Sequence, residues 1–135
     1  MCGIFGISIE ASVGVDAKDL KKLTKMFFQM SERRGKDASG FVSIHNYVEI
    51  IKSPHSASTL IQDSKFKNIF QNAISNYKNG NSFTISGHTR MVTSGSEYNN
   101  NNNQPIIKDN NLLIHNGIIV NEDNIYEQNP KLKKE

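Results

Sequence analysis

The chain has 135 residues, 36% of them apolar, which is enough for a single modest hydrophobic core. Its formal net charge is only +3, so the composition gives little support to a nucleic-acid binder. No stretch approaches the roughly 20 apolar residues that a membrane-spanning helix requires. A single cysteine excludes an internal disulfide, and with no basic leader before the first apolar segment it predicts a cytoplasmic protein.

The first third of the chain predicts a strand followed by a helix. Residues Gly3 to Ile9 are apolar and β-compatible, which indicates a buried strand that fixes the N-terminus. Asp16 is a good N-cap for the helix, and Gly35 is expected just past the end of the helix as a C-terminal stop. The apolar stripe of this helix is predicted at Leu20, Leu23, Phe27 and Met30.

The middle third predicts a hairpin and a second helix. Phe41 to Ile44 and Tyr47 to Ile51 are apolar segments, and His45-Asn46 between them suggests a two-residue turn. The helix is predicted over Lys65 to Tyr77 and ends at Asn79-Gly80. Its apolar face is predicted to consist of Phe66, Ile69, Phe70, Ala73, Ile74 and Tyr77.

The last third alternates polar segments with short predicted strands. These strands are expected at Phe83 to Ile85, Leu112 to His115 and Ile118 to Val120. The asparagine run from Asn99 to Asn103 predicts a flexible surface loop, although asparagine-rich segments can also self-associate.

Cys2 is the one thiol available for chemistry. A cysteine in second position is small enough for the initiator methionine to be removed, which would leave Cys2 with a free α-amine. Such an amine has a pKa of about 7.7–8.0, so it can serve as the base for its own thiol. Taken alone, Cys2 is explained more simply as a small buried residue that opens a strand.

Four segments together resemble the class II glutamine amidotransferase domain, an N-terminal-nucleophile hydrolase. They follow one another along the chain as Cys2-Gly3-Ile4, Arg34 to Gly40 (Arg-Gly-Lys-Asp-Ala-Ser-Gly), Gly87 to Arg90 (Gly-His-Thr-Arg) and His115 to Ile119 (His-Asn-Gly-Ile-Ile). The match is closest to the glucosamine-phosphate synthase and amidophosphoribosyltransferase types. It runs from Met1 to about Asp123, and it implies that residues 1–135 are one amidotransferase type-2 domain, truncated at its C-terminus.

The resemblance implies a role for each matched segment. Arg90 would hold the α-carboxylate of glutamine through two parallel hydrogen bonds, with Thr93 and His88 also in the substrate site. The side-chain amide of Asn116 and the backbone N–H of Gly117 would form the oxyanion hole. Two simpler readings remain open: a surface ion pair for Arg90, and a type I′ turn for Asn116-Gly117.

The Arg34 to Gly40 segment is expected to support the nucleophile end of the pocket, through Arg34, Asp37 and Gly40. A helix end followed by a turn explains Gly35 without any functional role. The chain also departs from the sugar-aminating members, because Met91 and Ser94 replace a tryptophan and a histidine after the Gly-His-Thr-Arg segment. The aspartate that holds the substrate's α-amine in the family has no counterpart here.

The implied fold is an α+β four-layer α/β/β/α sandwich of the N-terminal-nucleophile hydrolase type, incomplete at the C-terminus. The implied reaction is hydrolysis of L-glutamine to glutamate and ammonia through a thioester on Cys2, with no metal and no cofactor. Its partner would be a synthase domain or subunit that receives the ammonia, and the sequence is compatible with an oligomer. The alternative is a catalytically inactive module of the same fold that binds glutamine or a partner.

Overall fold

A four-stranded antiparallel sheet is the centre of the computed structural model, which describes residues 1–132. Helices and antiparallel strands together give an α+β fold, as the sequence predicted. The strands are β1 (Gly3–Ile9), β2 (Ala38–Ile44), β3 (Val48–Ser53) and β4 (Phe83–Arg90), in the spatial order β1-β4-β2-β3. The strand β4, which is the last of the four along the chain, therefore lies in the interior of the sheet.

Helices cover one face of this sheet. They are α1 (Ala17–Glu32), α2 (Ala57–Leu60) and α3 (Ser64–Lys78). A fourth helix, α4 (Glu122–Gln128), follows later in the chain and has no buried residue. A second sheet contains β5 (Ile106–Lys108) and β6 (Asn111–Leu113), and 3-10 turns cover Ala11–Val13 and Asn100–Asn102. None of the helices within residues 1–132 combines the length and the apolar character that crossing a bilayer would need.

The core between the helices and the sheet is built around Phe28. Its ring lies 4.7 Å from that of Phe5 in an edge-to-face arrangement, 5.9 Å from Phe41 and 5.7 Å from Phe66. Phe28 and Phe41 are 1% and 0% exposed. Aromatic rings contribute large buried areas, so this cluster joins α1, α3 and two strands of the sheet into one core.

The buried face of α1 differs from the predicted stripe. The helix begins as expected, since the Asp16 side chain accepts a hydrogen bond from the backbone N–H of Lys18. However, Met30 is 57% exposed, and Leu23 and Phe27 are only partly buried. The buried positions are Leu20, Thr24, Phe28 and Ser31. The helical spacing was predicted correctly, but apart from Leu20 the wrong residues were assigned to the buried face. Two polar residues pack against the sheet there: Thr24, whose hydroxyl bonds to the Leu20 carbonyl, and Ser31, whose side chain is small.

The predicted positions of β1 and α3 are confirmed, but the prediction that β1 is buried is wrong: only Gly3 and Ile7 are buried, because β1 is an edge strand with one face turned away from the helices. The strand has the predicted bounds, Gly3–Ile9, and α3 covers Ser64–Lys78 with Asp63 as its N-cap. All six predicted positions on the apolar face of α3 are buried. Gly80 follows the helix with a φ of +91°, which suits a glycine in a helix-ending turn.

The β2–β3 hairpin is confirmed, but its turn is longer than predicted. Ile44 pairs with Val48, so three residues form the loop, and the N–H of His45 bonds to the carbonyl of Tyr47. Asn46 does not adopt the positive φ that the predicted two-residue turn would need. The strand β4 is also longer than predicted, because pairing with both neighbours extends it from Ile85 to Arg90.

Two predictions for the last third are wrong. Residues Ile118 to Val120 form no strand, because no partner strand lies beside them, and all three side chains are more than half exposed. The tight turn does not lie at Asn116-Gly117, because neither residue has a positive φ; it lies at Asp109-Asn110, where φ is 49° and 62°. That turn joins β5 to β6, so the second strand lies at Asn111–Leu113, one residue earlier than predicted at its start and two at its end.

We expect Phe28→Ala to lower the free energy of unfolding by about 3–5 kcal/mol, because it removes the ring at the centre of the aromatic cluster. Met30→Ala on the same helix should change it by less than about 0.5 kcal/mol, since Met30 lies mostly in solvent. Urea unfolding followed by circular dichroism measures both. Equal losses in the two variants would contradict the observed phase of α1.

Candidate active site

Cys2 lies at the start of β1 and contacts residues from three distant parts of the chain. Its backbone N–H donates to the side-chain oxygen of Asn116 at 3.1 Å, although 114 residues separate the two. Its carbonyl accepts a hydrogen bond from Nε of Arg34 at 2.9 Å. The thiol lies 3.9 Å from the carbonyl oxygen of Met91. The matched segments that contain Arg34 and Asn116 therefore both bond to Cys2, which begins the first segment. The remaining matched segment ends at Arg90, directly before Met91.

The pairing of β1 with β4 explains why these segments meet. Gly3 lies opposite Thr89, so Cys2 comes beside the end of β4. The hydroxyl of Thr89 donates to the carbonyl of Ser31 at 2.7 Å, and a side chain on Gly3 would lie 2.6 Å from the same oxygen. Only a glycine lets the start of β1 lie this close to the last turn of α1.

The segment after α1 holds the end of β4 in place. The N–H of Asp37 donates to the carbonyl of Arg90 at 3.0 Å, and the Asp37 carboxylate accepts from the N–H of Val92 at 2.7 Å. Gly35 packs so closely that an added side chain would lie 2.5 Å from the backbone nitrogen of Met91. Gly35 lies just past the end of α1, as predicted, but it lacks the positive φ of a helix-ending glycine, so close packing is what requires a glycine here.

The guanidinium of Arg90 is buried and partly satisfied by the chain itself. Its Nη1 donates to the side-chain oxygen of Asn103 at 2.9 Å and to the carbonyl of Ser96 at 3.5 Å, and its Nη2 donates to the carbonyl of Ser94. A guanidinium has five N–H donors. The Nε–H and one Nη2–H have no protein partner, and Nε is not among the buried unsatisfied atoms of the described residues, so it reaches solvent. No carboxylate contacts Arg90 in this part of the chain, so the surface ion pair is not formed.

The end of the asparagine run is ordered and buried, contrary to the prediction of a plain flexible loop. Asn103 is 1% exposed, and its amide nitrogen donates to the carbonyl of Glu97 at 2.6 Å and to Asn100 at 3.2 Å. Its oxygen accepts from Arg90. Because every polar atom of the buried amide has a partner, Asn103 fixes the loop over the guanidinium.

Gln104 positions the segment that carries Asn116. Its side-chain oxygen accepts from the N–H of His115 at 2.5 Å, and its side-chain nitrogen donates to the His115 carbonyl at 2.8 Å. The Gln104-Pro105 backbone in turn lies against Gly40, where a side chain would overlap the Gln104 carbonyl oxygen. Gly40 is therefore linked to the segment that carries Asn116 through the contacts of Gln104.

Two predicted site residues, Thr93 and Gly117, are exposed and make no hydrogen bond to the other site residues. Thr93 is exposed, and its hydroxyl makes no hydrogen bond within the described residues. Gly117 is exposed too, and the His115 ring lies so close that an added side chain would come within 2.7 Å of its Nε2. The backbone N–H of Gly117 has no acceptor among residues 1–132.

His88 is fully buried on the face of β4 that the helices do not cover. Neither ring nitrogen has a hydrogen-bond partner. Burial, and secondarily the positive charge of Arg90, lower the pKa of His88 from 6.5 to about 4. The imidazole is therefore neutral at pH 7, and it lies next to Gly40 across the β2–β4 pairing.

Sequence reasoning missed Gln104 and Asn103. Both act through contacts with residues 10 or more positions away, and neither belongs to one of the quoted motifs. The one local signal was Pro105, which marks the end of the asparagine run and the approach of the next strand. No group of three or more metal-binding side chains occurs within residues 1–132.

We expect the fold to lose stability as the pH falls from 6.5 towards 4. Because the pKa of His88 is lower in the folded state, the unfolded state binds its proton first, and stability present above pH 6.5 is lost below it. The loss from pH 7 to pH 5 should be about 2 kcal/mol. Urea unfolding of His88→Phe at both pH values should show a loss smaller by this amount; an unchanged loss would contradict the neutral, buried imidazole.

We expect Gln104→Ala to release the His115 segment without unfolding the sheet. The His115 N–H would lose the one acceptor that it has within residues 1–132, so its exchange with deuterium should accelerate by roughly tenfold or more. Gln104→Glu is the matched control, since a carboxylate keeps the acceptor and loses the donor. Amide exchange measured by NMR tests this, and equal His115 exchange rates in Gln104→Ala and the unmodified protein would exclude the positioning role.

Comparisons of the chain with protein-family models, with curated proteins and with solved structures found no match. The function proposed next therefore rests on the residues and contacts described above.

Proposed function

We propose that the chain is a class II glutamine amidotransferase domain that hydrolyses glutamine to glutamate and ammonia. One observation carries this proposal: the backbone nitrogen of Cys2 bonds to the side chain of Asn116 beside the end of β4, where Arg90 lies. Nucleophile, oxyanion donor and carboxylate-binding cation come from three separate segments. Their convergence is what glutamine hydrolysis on an N-terminal cysteine requires.

Removal of Met1 would complete the nucleophile. Met1 is 73% exposed, so its peptide bond to Cys2 is accessible to a peptidase. The new α-amine would keep the position of the present Cys2 nitrogen and donate one hydrogen to Asn116, which leaves its lone pair for the thiol proton. The bond from Arg34 to the Cys2 carbonyl holds the residue while its neighbour is removed.

Arg90 would bind the α-carboxylate of glutamine. A bidentate carboxylate needs two N–H donors, and Arg90 retains two that the protein does not use. The three neutral acceptors on the other donors hold the guanidinium without neutralising its charge. The substrate's side-chain amide would then extend from Arg90 towards the Cys2 thiol.

The reaction would follow acyl transfer in two halves. The α-amine takes the thiol proton, and the sulfur forms a bond to the amide carbon, whose oxygen becomes an oxyanion stabilised by the Asn116 amide and the Gly117 N–H. The C–N bond then breaks, and the nitrogen leaves as ammonia with the proton from the amine. Water attacks the thioester in the same way, which releases glutamate and restores the thiol.

We also propose that the complete fold is the four-layer sandwich of N-terminal-nucleophile hydrolases. The main sheet with α1 and α3 would be one half, and a second sheet would face the side that carries His88 and Arg90. Apolar side chains on that side support this, since Ile4, Ile44 and Val48 are each more than 40% exposed at its edges. A synthase domain or subunit would receive the ammonia.

A second candidate, glutamine or partner binding without hydrolysis, is favoured by the loop over Arg90. Ser94, Ser96 and Asn103 already occupy three of its five donors, and Thr93 offers its hydroxyl to nothing in the described residues. A site of this kind could bind a carboxylate and lack the loop closure that catalysis needs. Hydrolysis and binding differ in whether Cys2 reacts with the bound ligand, so a chemical test distinguishes them.

The deciding experiment is intact-mass analysis after incubation with 6-diazo-5-oxo-L-norleucine, a reactive glutamine analogue. We expect one adduct on protein that lacks Met1, and none on Cys2→Ala. Arg90→Lys should be labelled roughly tenfold or more slowly, because a lysine cannot hold the carboxylate with two parallel bonds. Iodoacetamide, which has no carboxylate, should label Arg90→Lys and the unmodified protein at the same rate.

Trimmed protein that reacts with iodoacetamide and not with the analogue would contradict the glutaminase proposal. Calorimetric titration of Cys2→Ala with glutamine then separates the remaining readings. Saturable binding that is lost in Arg90→Lys supports the binding module, and no binding excludes glutamine as the ligand of this site.

A further inference from the structure

The outer surface of the helix layer has a groove of about 570 Å³ between α1 and α3. On one side it is lined by the first half of α1, and on the other by α3 and the residues just before it. On α3 the lining residues recur about once per turn from Phe66 to Lys78, which is a length of about 18 Å at 1.5 Å per residue. None of its lining residues contacts Cys2 or Arg90, so the groove is separate from the candidate active site.

Lysines form both rims of the groove, and none of them forms an ion pair within the described residues. They are Lys18, Lys21 and Lys25 on α1 and Lys67 and Lys78 on the α3 side, and all five are exposed. No aspartate or glutamate lines the groove, and no carboxylate lies within 4.0 Å of these lysines in the described chain. Asp16 and Asp63 at the helix starts keep their negative charge while they accept the capping hydrogen bonds, but neither belongs to the groove lining. The five lysines therefore carry positive charge along the groove without a direct ion pair.

The floor of the groove is formed by apolar side chains of α3. Phe66, Phe70 and Ile74 belong to the core, and the small exposed part of each side chain, between 6% and 8%, faces the groove. Thr24 adds no unsatisfied polar group, since its hydroxyl donates to the carbonyl of Leu20 at 2.8 Å. A ligand for this surface needs apolar groups along its centre and negative charge along both edges.

We propose that the groove binds an amphipathic helix of a partner protein, with a ridge of apolar side chains on the floor and carboxylates facing the lysines. Helix-in-groove recognition uses an apolar ridge that recurs every three or four residues, and the length and two cationic rims match it. Burial of the ridge supplies the affinity, and the lysine rims select an acidic partner and its register.

Other anionic ligands fit this surface less well. A small molecule is usually enclosed on most sides, whereas this groove is open along its length. Proteins bind a lipid surface with apolar side chains that protrude into it. Here the apolar side chains lie at the bottom of the groove, so they would not reach the lipid. Single-stranded nucleic acid stacks on exposed rings, and the rings of Phe66 and Phe70 are buried.

The test is fluorescence anisotropy with a labelled peptide of about 16 residues, enough to span the groove, with leucines on one face and glutamates on the other. A scrambled peptide of the same composition is the ligand control. Lys21→Glu and Lys25→Glu are the test variants. Lys22→Glu is their matched control, because Lys22 follows Lys21 on the same helix and lies outside the groove, beside Leu23 and Met26.

We expect the amphipathic peptide to bind at least roughly tenfold more tightly than the scrambled one, and each test variant to weaken it roughly fivefold or more. Lys22→Glu should leave the affinity within about twofold of the unmodified protein. Equal binding of both peptides, or an equal loss in Lys22→Glu, would overturn the proposal. So would tighter binding to phosphatidylserine vesicles or to single-stranded DNA that depends on Lys21 and Lys25.

Discussion

The position of β4 between β1 and β2 is the constraint on which the rest of the structure depends. Its backbone pairs with β1 on one side and with β2 on the other, and its register sets which side chains face the helices. Phe83 and Ile85 face the core, whereas His88 and Arg90 face away from it. A slip of one residue would exchange these two sets. The same register brings Cys2 and Asp37 to the end of the strand.

Close backbone contacts at three glycines then fix the site. Gly3 allows β1 to approach the end of α1, Gly35 allows the next segment to rest on the end of β4, and Gly40 admits the Gln104-Pro105 backbone against β2. In each case the space for a Cβ atom is already filled. Interiors are packed too densely to absorb such an atom without displacement, so these positions couple the fold directly to the site.

The two faces of the main sheet are stabilised differently. The helix face is a phenylalanine-rich core, which depends on burial of apolar area and needs few hydrogen bonds. The other face is covered near its end by the loop that carries Asn103 and Gln104, so polar side chains are buried there and most are paired. His88 is the exception, with two unpaired nitrogens.

The sequence by itself determined the elements whose signals are local. The strand β1, the capped start of α1 and the whole buried face of α3 followed from apolar periodicity and from Asp16 and the glycine after α3, because these depend on residues within a few positions of one another. The four motifs also identified Cys2, Arg90 and Asn116 as candidates. The sequence pattern assigned the wrong residues to most of the buried face of α1, and it placed the tight turn at Asn116-Gly117 instead of Asp109-Asn110.

Only the tertiary structure decided which of those residues meet. The bond from Cys2 to Asn116 and the two bonds from Gln104 to His115 depend on the path of a chain that returns to one edge of the sheet. The strand predicted at Ile118 to Val120 failed for the same reason, since a strand exists only where a partner lies beside it. Local propensity does not encode a partner's position, and for these residues that position is set by the register of β4.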